Sequence, residues 1–118
     1  MKISGTDMTM IRGDTEVISV CTKRDNVLVP FVPGDTVYFS VKRYLNSSTY
    51  TIQKVITSFI DGYAYIEIDP LDTKTLAIGD YIYDIQVVYP PLTEEDIAVV
   101  TTIIWPSTFT IEQEVTEE

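Results

Sequence analysis

The chain has 118 residues, with 8 Lys and Arg against 18 Asp and Glu, a formal charge of −10, no His and one Cys. Without His the commonest general base and metal ligand is missing, Ser–His and Cys–His pairs cannot form within the chain, and Cys21 alone cannot build a zinc site. The negative charge opposes binding to phosphate backbones, which depends on Lys and Arg.

Period-2 alternation dominates, filled by Val, Ile, Thr, Tyr and Phe, as strands prefer. Strands are predicted over Met8–Ile11 and Glu16–Thr22, separated by a turn at Arg12-Gly13-Asp14. Gly13 supplies backbone freedom there, and Asp14 suits a turn. These three residues also spell an integrin-recognition tripeptide; a turn between strands explains them as well, with Arg12 paired to a nearby acid. Cys21 falls on the face of Val17 and Ser19 and reads as a small buried hydrophobe. A loop follows from Lys23 to Asp35, with Pro30 and Pro33-Gly34 as breakers and a short extended piece over Val27–Val32. Thr36–Tyr44 is the clearest strand, with Val37, Phe39 and Val41 on one face. Tyr50–Phe59 comes next. Asp61-Gly62 is a short hairpin signal, answered by Tyr63–Ile68. Asp69 is predicted to cap a single helical turn that starts at Pro70.

Gly79–Val88 is predicted as strand, with Tyr81, Tyr83, Ile85 and Val87 on one face. The approach through Leu76 and Gly79 into Tyr81 is a candidate tyrosine corner, in which the hydroxyl bonds back to the preceding turn. The alternative is that Tyr81 and Tyr83 are simply core aromatics. Ile97–Trp105 is nearly all apolar or Thr. Such a strand is either buried on both faces or turned toward a partner. Ala98, Val100, Thr102 and Ile104 form the face suggested for contact, so Ala98, Val100, Ile104 and Trp105 are interface candidates. Trp105 is either an interface anchor or a cap on the core. Pro106 is expected to interrupt, with a last strand over Thr108–Val115.

Turn signals every 8–12 residues predict an all-β, immunoglobulin-like antiparallel β-sandwich of about seven to nine strands. A single domain over 1–118 is expected, with 1–6 a flexible N-terminus and 112–118 an acidic end. Charge is uneven: all 8 basic residues and 9 acids lie in residues 1–74, and 9 acids with no base follow. The end containing Glu112 and Glu114 is either a solvated terminus or a docking surface for a basic partner. The N-terminal Met1–Asp7 lacks a signal-peptide run, and no stretch approaches the roughly 18 apolar residues of a membrane span. A soluble protein is expected, made in a reducing compartment or in a particle assembled in one. Calcium at Asp61, Asp69 and Asp72 lacks the loop pattern of known hands. Glu94-Glu95-Asp96 reads as a solvated tip. No metal, cofactor or catalytic group is assigned.

Several motifs in order resemble a family of small phage and prophage proteins encoded among tail and baseplate genes, including N-terminal domains of baseplate upper proteins. The motifs are Met10-Ile11-Arg12-Gly13-Asp14-Thr15, Val37-Tyr38-Phe39-Ser40-Val41-Lys42 and Ile52-Gln53-Lys54. They continue with Asp69-Pro70-Leu71-Asp72-Thr73, then Leu76, Gly79, Tyr81 and Tyr83 through Val87, and Thr108-Phe109-Thr110-Ile111 into Val115-Thr116. Trp105-Pro106-Ser107 departs from the Gly usual before the final strand. The resemblance implies that in longer relatives this domain attaches a fibre or receptor-binding part; here a small virion protein without one is expected. The resemblance implies a non-enzymatic virion protein, made in the bacterial cytoplasm and held among other virion proteins in several copies, without nucleic acid or membrane. The tail or baseplate is the expected place. Alternatives are a head–tail joining or capsid decoration protein, a carbohydrate- or protein-binding module using its tyrosines, and an acidic mimic of nucleic acid.

Overall fold

The computed structural model describes residues 1–116. Those residues form an all-β, sandwich-like fold with one helical turn. The strands in chain order are β1 (Lys2–Ser4), β2 (Asp7–Ile11), β3 (Glu16–Val20), β4 (Thr22–Arg24) and β5 (Val27–Val29). They continue as β6 (Thr36–Lys42), β7 (Ile52–Ile56), β8 (Ala64–Ile68), the helix α1 (Pro70–Thr73), β9 (Gly79–Tyr89) and β10 (Val99–Glu112). The larger sheet has the order β1-β2-β10-β9-β6-β7. Facing it is the pair β3-β8, and β4-β5 makes a small separate hairpin.

Alternation places the core between the sheets. Val37, Phe39 and Val41 of β6 are fully buried, as are Ala64, Ile66 and Ile68 of β8. Tyr81, Tyr83, Ile85 and Val87 of β9 turn inward with them. Three rings from adjacent strands lock the middle: Phe39, Tyr83 and Phe109 have centroids 5.6, 6.2 and 6.3 Å apart. Tilted and edge-on ring pairs of this kind add to the burial of apolar area. Asp69 caps α1 by accepting from the backbone N–H groups of Leu71 and Asp72, and Asp72 reciprocates to the Asp69 N–H. This is a capping box built from two acids.

The sheet is mixed, not antiparallel. β2 runs parallel to β10, with Met8 beside Phe109 and Ile11 beside Glu112. Arg12-Gly13-Asp14 does not close a hairpin: it carries the chain from β2 in the large sheet to β3 in the small one. Asp61-Gly62 likewise turns tightly, with Ile60 bridged to Tyr63, but its flanking strands β7 and β8 belong to different sheets. The first residues form a strand, β1, which pairs with β2 from Lys2–Thr9 to Ser4–Asp7. Met1 packs on the core.

The separate strands expected on either side of Pro106 are one strand, β10. Its register against β9 shifts between Thr102 and Ile104, and again between Ile104 and Ser107. Pro106 lies in the second shift, before the pairing with β2 begins at Phe109. A proline at a bulge on an edge sacrifices no ladder bond, so the strand passes through. Cys21 lies outside the strands and is only half-buried, because the face of Val17 and Ser19 looks outward.

Gly62 shows why the short turn needs glycine. Its φ is +81°, and a Cβ there would overlap Pro30. The Phe31 N–H also donates to the Gly62 carbonyl at 3.0 Å, tying the loop to this turn. Gly62→Ala is therefore expected to cost at least about 1–2 kcal/mol from the left-handed backbone, before the overlap is counted. Denaturant titration measures it; a loss below about 0.5 kcal/mol, the range of neutral surface changes, contradicts this account.

Candidate interaction surfaces

The turn at Arg12-Gly13-Asp14 is an internal clasp. The Arg12 guanidinium grips Glu114 with Nη2 to Oε1 at 2.7 Å and Nε to both oxygens at 3.1 Å. Its Nη1 donates to the Leu76 carbonyl at 3.1 Å. Gly13, at φ +84°, donates its N–H to Thr73 Oγ1 at 2.8 Å, and Thr73 is fully buried. Asp14 N–H closes the turn on the Ile11 carbonyl. One arginine thus joins the end of β2, the segment after β10 and the approach to β9. Glu114, a candidate contact for a basic partner, is instead committed to Arg12 within the chain. Glu112 is exposed at the end of β10, and Glu117 and Glu118 lie outside the described residues.

Leu76, Gly79 and Tyr81 meet at the same end. Tyr81 Oη donates to the Ala77 carbonyl at 2.7 Å, four residues back. The Arg43 guanidinium stacks 4.7 Å over the Tyr81 ring and donates to the Asp80 carbonyl at 3.0 Å. Tyr83 is buried, and its hydroxyl donates to the Thr6 carbonyl. Burial, with the Asp7 charge beside it, pushes that phenol up to about 12.

The outer face of the large sheet holds a groove of about 390 Å³. Tyr38, Lys42, Tyr50, Asp84, Val100 and Pro106 are among its walls. Lys42 Nζ lies 5.2 Å over the Tyr50 ring. Burial raises the Asp84 carboxyl above its ordinary range, and the Lys42 charge works against that shift. Asp84 is the one carboxylate among the described lining residues, whereas glycoside hydrolysis takes a pair across a cleft. The tyrosines do not form one platform: Tyr63, just before β8, pairs with Tyr65 on it at 6.4 Å between centroids, away from Tyr38 and Tyr50. Asp69 is occupied by its cap, and Asp72 bonds Lys54 at 2.7 Å. Among the described residues no cluster of three or more His, Cys, Asp or Glu could hold a metal ion. None of their helices is long and apolar enough to cross a membrane.

The N-terminal half of β10 and the tip before it are the most exposed apolar part. Leu92, Ile97, Val99, Val100 and Trp105 are 95, 86, 57, 59 and 77% exposed. Ala98 is exposed beside them. Burial on both faces therefore fails for the first half of this stretch, and Trp105 does not cap the core. Ile104 departs from the suggested contact face. The register shift after Thr102 turns both Ile103 and Ile104 to pack on the core, which breaks the alternation. The groove was not visible in the sequence, although the polar alternates of β6 and β9 are the signal for its floor. No family model matches the chain, and no curated protein matches it.

The clasp has a pH signature. Hydrogen bonds from Arg12 outweigh the opposing effect of burial and, with a lesser contribution from the Arg12 charge, hold Glu114 below the ordinary glutamate range. A depressed carboxyl binds fewer protons folded than unfolded, so its stabilisation is present above the unfolded pKa and lost as pH falls through the folded one. Glu114→Gln should lower the melting temperature at neutral pH, and the gap should close as pH drops below the ordinary value of about 4.3. A gap that stays constant through that window contradicts the assignment.

Proposed function

We propose that the chain is a non-enzymatic structural component of a tailed phage particle, working through its surface and sheet edges in the tail or baseplate region. The observation that carries the reading is the exposed, uncharged first half of β10, a contact surface with no chemistry attached. The ordered motifs from Met10 to Thr116 support the phage assignment. We also infer that the sandwich is immunoglobulin-like. The run β10-β9-β6 in one sheet facing β3-β8 in the other corresponds to the G-F-C and B-E order of that fold. The Tyr81 bond to Ala77 supports the same inference. The partners in this reading are other virion proteins in several copies, and the location is the virion, after synthesis in the bacterial cytoplasm. Neck and capsid-surface positions use the same fold and differ only in place.

A second reading, attachment to a host-surface carbohydrate, is favoured by the groove. Tyr38 and Tyr50 offer ring faces there, and Asp84, Gln53 and Gln86 offer hydrogen-bonding groups. A glycan array separates the two: the structural reading expects no signal, and specific binding lost in Tyr50→Ala supports attachment. Mass spectrometry of purified particles, with electron microscopy to locate the density, tests the leading reading. The chain should be present in a fixed number of copies per particle. Its absence from intact particles refutes the proposal.

A further inference from the structure

β10 is flanked on both sides only near its C-terminal end. β9 lines one side from Val99 to Ile111, whereas β2 covers the other only from Phe109 to Glu112. Just before that seam the Thr108 N–H is taken by Asp7 Oδ1 at 3.0 Å, and Ser107 Oγ meets Thr6 Oγ1 at 2.7 Å. Further toward the N-terminus no strand lies on that side among the described residues. Alternate backbone N–H and C=O groups of Val99–Thr102 therefore face outward, as on any sheet edge.

Edges of this kind are ordinarily blunted by charge, proline or bulges. Here residues 97–111 contain no charged side chain, in a chain of −10. The open stretch reads Val-Val-Thr-Thr, four β-branched residues suited to pairing. Blunting begins only afterwards. The register shifts after Thr102 and after Ile104, and Pro106 without its N–H, limit regular pairing to Val99–Thr102.

We propose that this edge joins two copies of the chain, β10 against β10, antiparallel about a two-fold axis. Charge favours a second copy: two chains of −10 repel wherever their acids approach, and this is a long exposed stretch where they meet without like charges opposed. A strongly basic partner finds no acid in that stretch to pair with. Closure favours the two-fold axis, because a strand paired with its own copy uses the open side of both chains at once. Ile97, Val99, Val100 and Trp105, all exposed, flank the paired backbone and lose exposure with it. The pairing is independent of the phage reading and can fail or hold without it.

Trp105 is the one tryptophan and stands at the end of this edge, 77% exposed. Sedimentation equilibrium and tryptophan emission of the full chain, from about 1 µM to about 500 µM, test the pairing. The weight-average mass should rise about twofold, with a parallel blue shift of emission. Thr101→Lys sets a charge on the open strand at an exposed position; it should keep the mass of one chain throughout, with an unchanged circular dichroism spectrum. Val17→Lys, on the exposed face of β3, should pair like the parent. A parent mass that stays at one chain overturns the proposal, as does one that climbs past twofold or a dimer indifferent to Thr101→Lys. Should Thr101→Lys fail to fold, the parent series decides the question by itself.

Discussion

Backbone groups in a sheet need partners, and β10 meets that demand unevenly. Near its end, Phe109–Ile111 sit between β9 and β2, and there Phe109 and Ile111 are fully buried. Its first residues have β9 alone. The same strand is thus core at one end and open edge at the other. Asp7 marks the boundary by taking the Thr108 N–H with its side chain, so the backbone of β2 starts its parallel run one residue later. The core, the groove and the exposed tip all take their positions from where that boundary falls.

The parallel seam exists because the chain changes sheets at Arg12-Gly13-Asp14. A hairpin there would have set β3 beside β2 and left β10 without its second neighbour. The clasp fixes the crossing instead. Arg12 holds Glu114 just beyond β10 and the Leu76 carbonyl just before β9, while the buried Thr73 hydroxyl receives Gly13. Residues distant in sequence are pinned where β2, β9 and β10 end or begin. Of the acidic end that the sequence offers to a basic partner, Glu114 is paired from within.

Much of the fold was legible in the sequence because it depends on local periodicity. The inward faces of β6, β8 and β9 follow from alternation alone, and the Asp69 cap from an acid placed before Pro70. What escaped was set by contacts distant in sequence. Nothing local distinguishes a Gly-containing turn that closes a hairpin from one that crosses between sheets, as Gly13 and Gly62 both show. Pro106 reads as a strand end because proline lacks an N–H, and it is tolerated because a bulge at an edge makes no use of that group. Uncharged Val, Thr and Ile in a row look the same in a central strand and on an open edge. Only the length of β2 decides between them. The interface candidates divide on that point: Val100 and Trp105 are exposed, Ile104 turns to the core through the bulge, and Glu114 goes to Arg12.

The open, uncharged edge of β10 is the feature on which the proposed pairing rests. Amide hydrogen exchange along β10, followed by NMR at low and high protein concentration, tests that account most directly. The account predicts slow exchange at Phe109–Ile111 under both conditions. It also predicts fast exchange of the outward amides among Val99–Thr102 in dilute solution, becoming slow as concentration rises. Slow exchange of all four in dilute solution, or fast exchange of the outward ones at every concentration, would contradict it.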